Sequence, residues 1–389
     1  MRRLIVLAGV VVTASLLMTG CEYDGPTAMY HRPQEETTAP VITALDPPEA
    51  PAGVNTIAIE GAHFSDTLAC NKVYVDGFPA EITSHSATRL TIRRPNRTGD
   101  STTIQVVNTR ALEIASFGPY RIDPVHWPFG HFTTGDELSA VATDGSGNVY
   151  VVQRSPRSVY RITSDGEKTT LGEAGRIVTD AVIHPSGAQL IFLMANRSID
   201  RMDVETGEVA EYFRGAKRVS VGDFDVHGNL YAGGSRTALM VVTSALSEKD
   251  TGLYGTDEIL SIRVYGGSVY VAVRRASGTP SAGIWRHEIL DAAGTVGPGV
   301  LILDWSEAGA HAGSAIQDME FSPDGTLLVG TDHSDPIFLL HADNSRDILY
   351  KSILPGNAVK LRGAGRFLYM LQGGQQWNVL RIDMGETGM

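Results

Sequence analysis

Two aspartates stand at matching places in a repeated sequence and are the first candidates for chemistry. Asp180 lies in Val-Thr-Asp-Ala-Val and Asp318 in Ile-Gln-Asp-Met-Glu, each at the start of a predicted strand. Carboxylates that converge from several strands can hold calcium or zinc. The matching places in the other repeats are apolar: Ala140, Val221, Ile262 and Val359. Because no full set of carboxylate and amide ligands results, we predict no metal and no cofactor.

Histidines and tryptophans are the next candidates for a site. Four histidines fall in predicted turns and loops: His184, His227, His311 and His333. In Asp332-His333-Ser-Asp335, turn-stabilising side chains explain the cluster as well as a metal does. Three tryptophans either pack between repeats or stack on a sugar ring: Trp285, Trp305 and Trp377. The sequence has no HExxH, paired CxxC, GxSxG, Walker or strand-linked GxGxxG motif, so we predict no catalytic residue.

Composition favours an all-β protein that does not bind nucleic acid. The 389 residues include 42 glycines and only 20 % charged residues, which is typical of many short strands and tight turns. The net charge of −12 argues against a surface that tracks phosphates. There are two cysteines, Cys21 and Cys70, so we predict no disulfide framework and expect Cys70 to be a lone, buried thiol.

A repeat of about 40 residues organises the C-terminal two-thirds of the chain. Its marker is a turn glycine followed by an apolar strand, and these glycines are Gly147, Gly187, Gly228, Gly267, Gly325 and Gly365. One such sheet cannot bury both of its faces, so the units must form a ring, and we predict a six-bladed β-propeller over residues 124–389. The last repeat lacks a fourth strand. We therefore predict that the segment near Trp127 to Thr133 supplies it and closes the ring.

The repeats resemble those of the NHL family of six-bladed propellers. Thr143-Asp-Gly-Ser-Gly-Asn-Val-Tyr150 and Asp223-Phe-Asp-Val-His-Gly-Asn-Leu-Tyr231 carry this resemblance. It implies a ring around a central channel, and some propellers of this shape are lactonases or lyases with a metal in that channel. Asp180 and Asp318 would then lie at the channel mouth, where they either bind a ligand or accept hydrogen bonds from backbone amides.

Residues 40–123 show short runs of alternating apolar residues that predict a small β-sandwich. The stretches from Pro40 to Pro47, from Ile59 to Phe64 and from Val73 to Gly77 resemble the IPT/TIG family. This resemblance implies an immunoglobulin-like fold without catalytic residues. Gly61 and Gly77 are expected to supply positive φ or bulge geometry.

An arginine cluster in this first module is the other feature that could bind a ligand. Its members are Arg89, Arg93, Arg94 and Arg97. Charge runs usually form a solvated face, and we favour that interpretation over an anion site.

The N-terminus has the pattern of an export signal. A positive start precedes an apolar run from Leu4 to Met18, which is too short for a transmembrane helix and typical of a signal peptide. The run ends in Leu-Met-Thr-Gly-Cys21, which resembles the bacterial lipobox. The resemblance implies removal of residues 1–20 and attachment of acyl chains such as palmitate to Cys21. An ordinary secretory signal with an accidental cysteine is the alternative.

The segment after the signal predicts how the folded part is held. Residues 21–39 have no periodicity and are punctuated by proline and glycine, so we expect a flexible tether. Glu22 follows the cysteine in place of the aspartate that resembles an inner-membrane retention signal, which favours the outer membrane.

Together these features predict a membrane-anchored lipoprotein that presents a propeller for non-catalytic binding of a glycan or a protein at the cell envelope. Two other functions stay open. One is a propeller enzyme of the lactonase or lyase type with a metal at the channel mouth, and the other is a structural scaffold of the envelope.

Overall fold

The computed structural model describes residues 37–374 and 378–385. The predicted signal peptide, Cys21, nearly all of the tether and Trp377 lie outside the described residues. Eight four-stranded antiparallel sheets form over the described part, together with three 3-10 helices (Leu68–Cys70, Trp305–Glu307 and Gly309–His311). None of the helices in residues 37–374 and 378–385 has the length and apolar character that crossing a bilayer needs. The predicted all-β class is confirmed.

The first module is a sandwich of two sheets, with strand orders β1-β2-β6-β5 and β4-β3-β7-β8. The strands are β1 Val41–Asp46, β2 Thr56–Ala62, β3 Asn71–Val75, β4 Phe78–Ala80, β5 Ile82–His85, β6 Arg89–Arg93, β7 Gly99–Asn108 and β8 Ile114–Ile122. Alternating residues of these strands face inward and form one apolar core, which includes Ile57, Ile59, Leu90, Ile92, Ile104, Val106 and Tyr120.

Two glycines of this module have the structural roles that the sequence predicts. Gly61 lies opposite a bulge in β1, and a Cβ atom there would be 1.9 Å from the carbonyl oxygen of Val41. Gly77 has φ of +80° in the turn after β3. Cys70 is a free thiol as expected, but it is partly exposed and not buried, because it ends a 3-10 turn at the surface.

Six further sheets are the blades of the propeller. In chain order, and with the innermost strand first, blade one contains β10 Leu138–Thr143, β11 Val149–Gln153, β12 Ser158–Ile162 and β13 Lys168–Glu173; blade two β14 Asp180–Ile183, β15 Gln189–Leu193, β16 Asn196–Asp203 and β17 Val209–Val219; and blade three β18 Val221–Phe224, β19 Leu230–Gly234, β20 Thr237–Val242 and β21 Glu248–Asp250. Blade four contains β22 Glu258–Tyr265, β23 Ser268–Arg274, β24 Ala282–Glu288 and β25 Val300–Asp304; blade five β26 Ile316–Phe321, β27 Leu327–Thr331, β28 Ile337–Leu340 and β29 Arg346–Ile348; and blade six β30 Ala358–Ala364, β31 Phe367–Gln372, β32 Asn378–Asp383 and β9 His126–Phe129.

The blades close into a ring in the way that the sequence predicts. Each innermost strand contacts the next in order, and β30 of blade six contacts β10 of blade one. The outer strand of blade six is β9, which pairs with β32 so that Phe129 lies opposite Val379. Phe129 also packs on Tyr369 with ring centroids 5.0 Å apart. The closing strand is confirmed, although it begins at His126 and ends at Phe129.

The turn between the two inner strands of each blade contains the predicted glycine with positive φ, from +59° at Gly365 to +87° at Gly325. In blade three the Asp225 carboxylate accepts hydrogen bonds from the backbone amides of His227 and Asn229 and from the Asn229 side chain, at 2.7–2.9 Å. Asp144 organises the turn of blade one in the same way. The residues that carry the resemblance to NHL repeats therefore build turns.

Arg94 holds the chain where the two modules meet, and here the predicted solvated face is wrong. Its side chain is 4 % exposed. The guanidinium donates hydrogen bonds to four backbone carbonyls, those of Ala50, Pro51, Val54 and Asp123. Arg89 of the same cluster does lie at the surface, where it pairs with Glu60. A single buried arginine thus stabilises the end of the first module beside the linker to the propeller.

Side chains of the segment between blades five and six continue this contact between the modules. The buried Tyr350 hydroxyl accepts a hydrogen bond from the amide of Gly53 at 2.8 Å and donates one to the carbonyl of Asp383 at 2.6 Å. At the surface Lys351 pairs with Glu81 at 3.0 Å. Tyr350 therefore links the first module to the last blade through one hydroxyl group.

Candidate functional site

The inner strands place two rings of side chains around the propeller axis. Hairpin register identifies the equivalent positions, since each ring residue lies opposite a matching residue of the second strand. The ring nearer the inner turns, called the turn-side ring, consists of Ala142, Val182, Asp223, Arg263, Glu320 and Arg362. The ring two residues earlier, called the inner ring, consists of Ala140, Asp180, Val221, Ser261, Asp318 and Lys360.

This register corrects two positions of the sequence alignment. Ile262 and Val359 do not match Asp180, because Ser261 and Lys360 occupy the equivalent places. The inner turns of blades four and six are one residue shorter than that of blade three, and a slip of one residue moves a side chain to the other face of a strand. The sequence analysis missed five charged ring residues. Lys360 was missed because of this slip in the alignment. Asp223, Arg263, Glu320 and Arg362 were missed because only the positions of the inner ring were compared.

Arg362 crosses the axis and joins the two predicted aspartates. Its guanidinium donates to Asp180 of blade two at 2.6 Å and to Asp318 of blade five at 2.8 Å. Lys360 adds an ion pair to Asp180 at 3.4 Å. Both carboxylates have zero exposure. The aspartates therefore lie inside the channel in an ion-pair network and not at its mouth.

Asp318 has the most complete set of partners. Arg263 of the neighbouring blade reaches both carboxylate oxygens at 2.9 Å, and the Ser261 hydroxyl donates at 2.6 Å. The backbone amide of Leu361 donates at 3.0 Å. Asp180 accepts a hydrogen bond from the amide of Ala181 at 3.1 Å, and its Oδ2 atom is buried without a hydrogen-bond partner among the described residues. Both aspartates thus accept hydrogen bonds from backbone amides, which is one of the two roles that the sequence allowed for them. Guanidinium groups are nevertheless their main partners.

Two further acids lie in the turn-side ring and are partly exposed. Burial raises the pKa of Asp223 to about 6 and the pKa of Glu320 to about 7, and the Arg263 guanidinium opposes both shifts. Arg263 lies 3.6 Å from Glu320, and the amide of Val264 donates to Asp223 at 2.8 Å. The two rings together bring four acids against three bases: Asp180, Asp223, Asp318 and Glu320 against Arg263, Lys360 and Arg362. We call these seven side chains the ion-pair plug.

The raised pKa of Glu320 predicts that stability falls as pH rises. Between pH 4.5, the usual pKa of this carboxyl, and about 7, the folded state binds more protons than the unfolded state, so the free energy of unfolding decreases with pH. Asp223 contributes to the same slope below about pH 6, so Glu320→Gln should reduce the slope, most of all between pH 6 and 7, and should raise stability at pH 8 by on the order of 2 kcal/mol. Urea denaturation at pH 5, 6, 7 and 8 measures the effect.

Glu288→Gln is the matched control, because Glu288 is exposed on β24. This control should leave the pH slope unchanged. If the free energy of unfolding of Glu320→Gln changes with pH as steeply as that of the parent protein, the protons are bound by a group other than Glu320.

Chemically, the plug is a set of charges that neutralise one another. Its guanidinium and ammonium groups are bound to carboxylates, and Arg263 and Arg362 are 4 % and 5 % exposed. A signal for it exists in the sequence, since Asp318-Met-Glu320, Ser261-Ile-Arg263 and Lys360-Leu-Arg362 alternate polar and apolar residues in inner strands. The role of Asp180 and Asp318 as ligand contacts stays a prediction.

Two of the three candidate tryptophans, Trp285 and Trp305, pack between blades. Trp305 is 3 % exposed, and its indole N–H donates to the carbonyl of Ser314 at 2.8 Å. Trp285 is half-buried beside Tyr254, with ring centroids 5.9 Å apart. The packing interpretation is confirmed for Trp305, which is inaccessible to a ligand, whereas contact of Trp285 with a ligand stays a prediction. Trp377 lies outside the described residues.

Two of the four candidate histidines come together between blades four and five. The rings of His311 and His333 are 4.4 Å apart, and both ring systems face the backbone carbonyl of Asp335. Burial lowers the pKa of His311. Within residues 37–374 and 378–385, no three His, Cys, Asp or Glu side chains are grouped so that they could hold a metal ion.

A groove of about 370 Å³ opens between the inner turns of blades three and four. Val226 and Leu290 border it and are 88 % and 57 % exposed. Tyr265 contributes an aromatic wall and stacks on Phe321 with ring centroids 4.4 Å apart. Exposed apolar side chains around a concavity are typical of binding surfaces.

Comparison with known families identifies the first module. The profile of the IPT/TIG domain matches residues 40–121. The module at residues 40–121 is similar to IPT/TIG domains, and it is called the IPT/TIG domain below. This match confirms the resemblance seen in the sequence and agrees with the two sheets of the sandwich. No curated protein matches the chain in sequence.

Solved structures are similar in fold to this chain, two of them over about nine-tenths of its length. An auxiliary nutrient binding protein from Bacteroides thetaiotaomicron VPI-5482 has a TM-score of 0.51 and 10 % identity over 89 % of this chain and 97 % of that one. Another from Bacteroides ovatus ATCC 8483 has a TM-score of 0.51 and 12 % identity over 90 % and 98 %. A luciferin-regenerating enzyme has a TM-score of 0.51 and 12 % identity over 68 % and 97 %. At these identities the likeness concerns the fold.

Proposed function

We propose that this protein is a lipid-anchored component of the bacterial envelope whose propeller binds a glycan or a protein without catalysing a reaction. The observation that carries the proposal is the ion-pair plug. Its carboxylates and bases are bound to one another across the axis, so the channel is filled where propeller enzymes of similar shape hold a metal. Ligand contacts are then made on surfaces between blades and between modules.

Two further observations support binding as the function. The groove bordered by Val226 and Leu290 offers exposed apolar area on one propeller face. The two auxiliary nutrient binding proteins are matched over nearly their full lengths, so the arrangement of an immunoglobulin-like module before a propeller is compatible with nutrient binding. We place the protein at the outer membrane on the basis of Glu22 beside the lipidated cysteine.

The proposed lipid anchoring through Cys21 can be tested directly. Cys21→Ser removes the thiol that would carry the diacylglycerol, and two or three acyl chains at about 0.8 kcal/mol per buried methylene are what holds a lipoprotein on a bilayer. We expect the variant to move from the membrane fraction to the soluble periplasmic fraction, with loss of the acyl mass in mass spectrometry. Cys70→Ser should behave like the parent protein, and membrane retention of Cys21→Ser would contradict lipid anchoring.

Metal analysis and substrate screening separate binding from catalysis. For the purified full chain we expect no stoichiometric divalent metal and no turnover in a panel of lactones. Bound metal together with turnover that Asp180→Ala or Asp318→Ala abolishes would establish a propeller enzyme instead. A glycan array and a pull-down of envelope proteins then test recognition, since a scaffold with no glycan ligand gives no signal on the array.

A further inference from the structure

A second concave surface lies between the IPT/TIG domain and the last blade. This interdomain cleft has a volume of about 630 Å³, within the range typical of small-ligand sites. Its walls come from Arg121 and Asp123 at the end of the IPT/TIG domain and from Trp127, Arg366 and Asp383 of blade six. Ligand sites are common at such junctions because two modules provide walls at an angle to each other.

Direct backbone contact fixes the geometry of this interdomain cleft. Gly53 and Gly385 both have positive φ, and a Cβ atom on Gly385 would lie 2.9 Å from the Cα atom of Gly53. The amide of Gly53 is also bound to the buried Tyr350 hydroxyl. The walls are therefore held before any ligand arrives, which lowers the entropic cost of binding.

The side chains of the cleft combine an aromatic ring with paired charges. Arg121 binds both carboxylate oxygens of Asp123, at 2.7 and 3.2 Å. Arg366 pairs with Asp383 through its Nε atom at 3.0 Å. The two cations that line the cleft, Arg121 and Arg366, are matched by two lining carboxylates, so the lining itself has no net charge. Outside the lining, Arg121 also lies 3.8 Å from Glu49 and from Asp100. Trp127 lies beside them on β9, opposite Arg381 of β32, whose guanidinium is 5.9 Å from the centre of the indole ring.

This combination matches the chemistry of an uncharged sugar. A pyranose has apolar C–H faces that pack on an aromatic ring, and its hydroxyl groups both donate and accept hydrogen bonds. At the rim, the Arg121 and Asp123 side chains are 51 % and 29 % exposed and offer donors and acceptors side by side. A charged ligand would have to compete with one member of an existing ion pair.

We infer that the interdomain cleft binds a neutral oligosaccharide, with one sugar ring packed on Trp127 and its hydroxyl groups bound by Arg121 and Asp123. This inference rests on the proposed binding function and specifies its ligand class and place. Neither module forms the site alone, because Trp127 belongs to the propeller and Arg121 to the IPT/TIG domain.

Isothermal titration of the full chain tests the inference. The protein is purified in lauryldimethylamine oxide, since detergents with sugar headgroups would occupy the site. The probes are maltohexaose, xylohexaose and mannohexaose as neutral ligands, with hexagalacturonate and hexaglucosamine as charged ones. We expect at least one neutral hexasaccharide to bind. Trp127→Ala should weaken its affinity by about tenfold or more, as truncation of an aromatic anchor does.

Two other variants keep the test decisive if Trp127→Ala does not fold. Trp127→Phe retains an aromatic ring and should lose less affinity than the alanine variant. Arg121→Met changes an exposed side chain and should weaken binding several-fold through lost hydrogen bonds. Leu290→Ser alters the groove between blades three and four and tests that groove as the alternative site. Arg286→Met is the matched control with no expected change in affinity, because Arg286 is exposed on β24 and lines neither concave surface.

The possible failures are distinguishable. Binding that Leu290→Ser weakens and Trp127→Ala leaves intact would place the ligand in the groove, which overturns the inference and keeps the proposed function. Binding of the charged probes alone, or of none of the five, would also overturn it. Metal-dependent turnover would instead overturn the proposed function itself.

Discussion

Replacing Arg362 with methionine should lower the free energy of unfolding of the propeller by about 3–5 kcal/mol, the usual effect of removing one partner of a buried ion pair. The change removes the two hydrogen bonds at 2.6 and 2.8 Å that this guanidinium makes to Asp180 and Asp318. Both carboxylates remain without solvent, and Lys360 at 3.4 Å is then the only side-chain cation paired with Asp180 among the described residues. The midpoint of urea denaturation, followed by tryptophan fluorescence, measures the loss.

A second substitution shows whether unpaired charge is the cause. Asp180→Asn in the Arg362→Met background removes the negative charge that lost its partner and should restore a substantial part of the stability. Arg286→Met is the control, since Arg286 is exposed on blade four. An equal shift for Arg362→Met and Arg286→Met would mean that the ion-pair plug contributes nothing to folding.

Replacing Arg94 with methionine should cost about 2–4 kcal/mol, because the variant leaves buried carbonyl groups without their charged donor. The carbonyls of Ala50, Val54 and Asp123 lie where the IPT/TIG domain ends and the linker begins. We expect a lower thermal midpoint together with faster cleavage between the two modules in limited proteolysis. Differential scanning calorimetry and mass mapping of the fragments measure both effects.

Arg94→Lys and Arg89→Met test the explanation. Lysine keeps the charge but cannot reach four carbonyls with a planar fork, so Arg94→Lys should be intermediate. Arg89 is 50 % exposed, and its loss should change the midpoint little. Cleavage between the modules that stays at the parent rate in Arg94→Met would show that Tyr350 and the surface pairs are sufficient to hold them.

The sequence predicted those parts of the fold that depend on neighbouring residues. A turn glycine and the apolar strand after it are local signals, and all six glycines have the positive φ that their turns need. The closing strand also followed from the sequence, because a blade with three strands leaves an edge that must be covered. The signature of the IPT/TIG domain is similarly local.

The candidate site depended on contacts that a linear pattern does not contain. Arg362 meets Asp180 across the axis, from blade six to blade two, and no local spacing relates the two residues. One-residue differences in turn length also hid Ser261 and Lys360 from the alignment. Arg94 was misjudged because the arginines of the cluster were treated alike, although Arg89 at the start of β6 lies at the surface and Arg94, just after its end, lies against backbone carbonyls.

The pairing of β9 with β32 also determines when a newly made chain can finish folding. β9 precedes every other described strand of the propeller in the chain, whereas its partner β32 follows all of them. A chain truncated within blade six would leave β9 unpaired and a gap in the ring, with open strand edges on both sides. Such fragments would be prone to aggregation and easily recognised by quality-control proteases, so the ring can close only when blade six is complete.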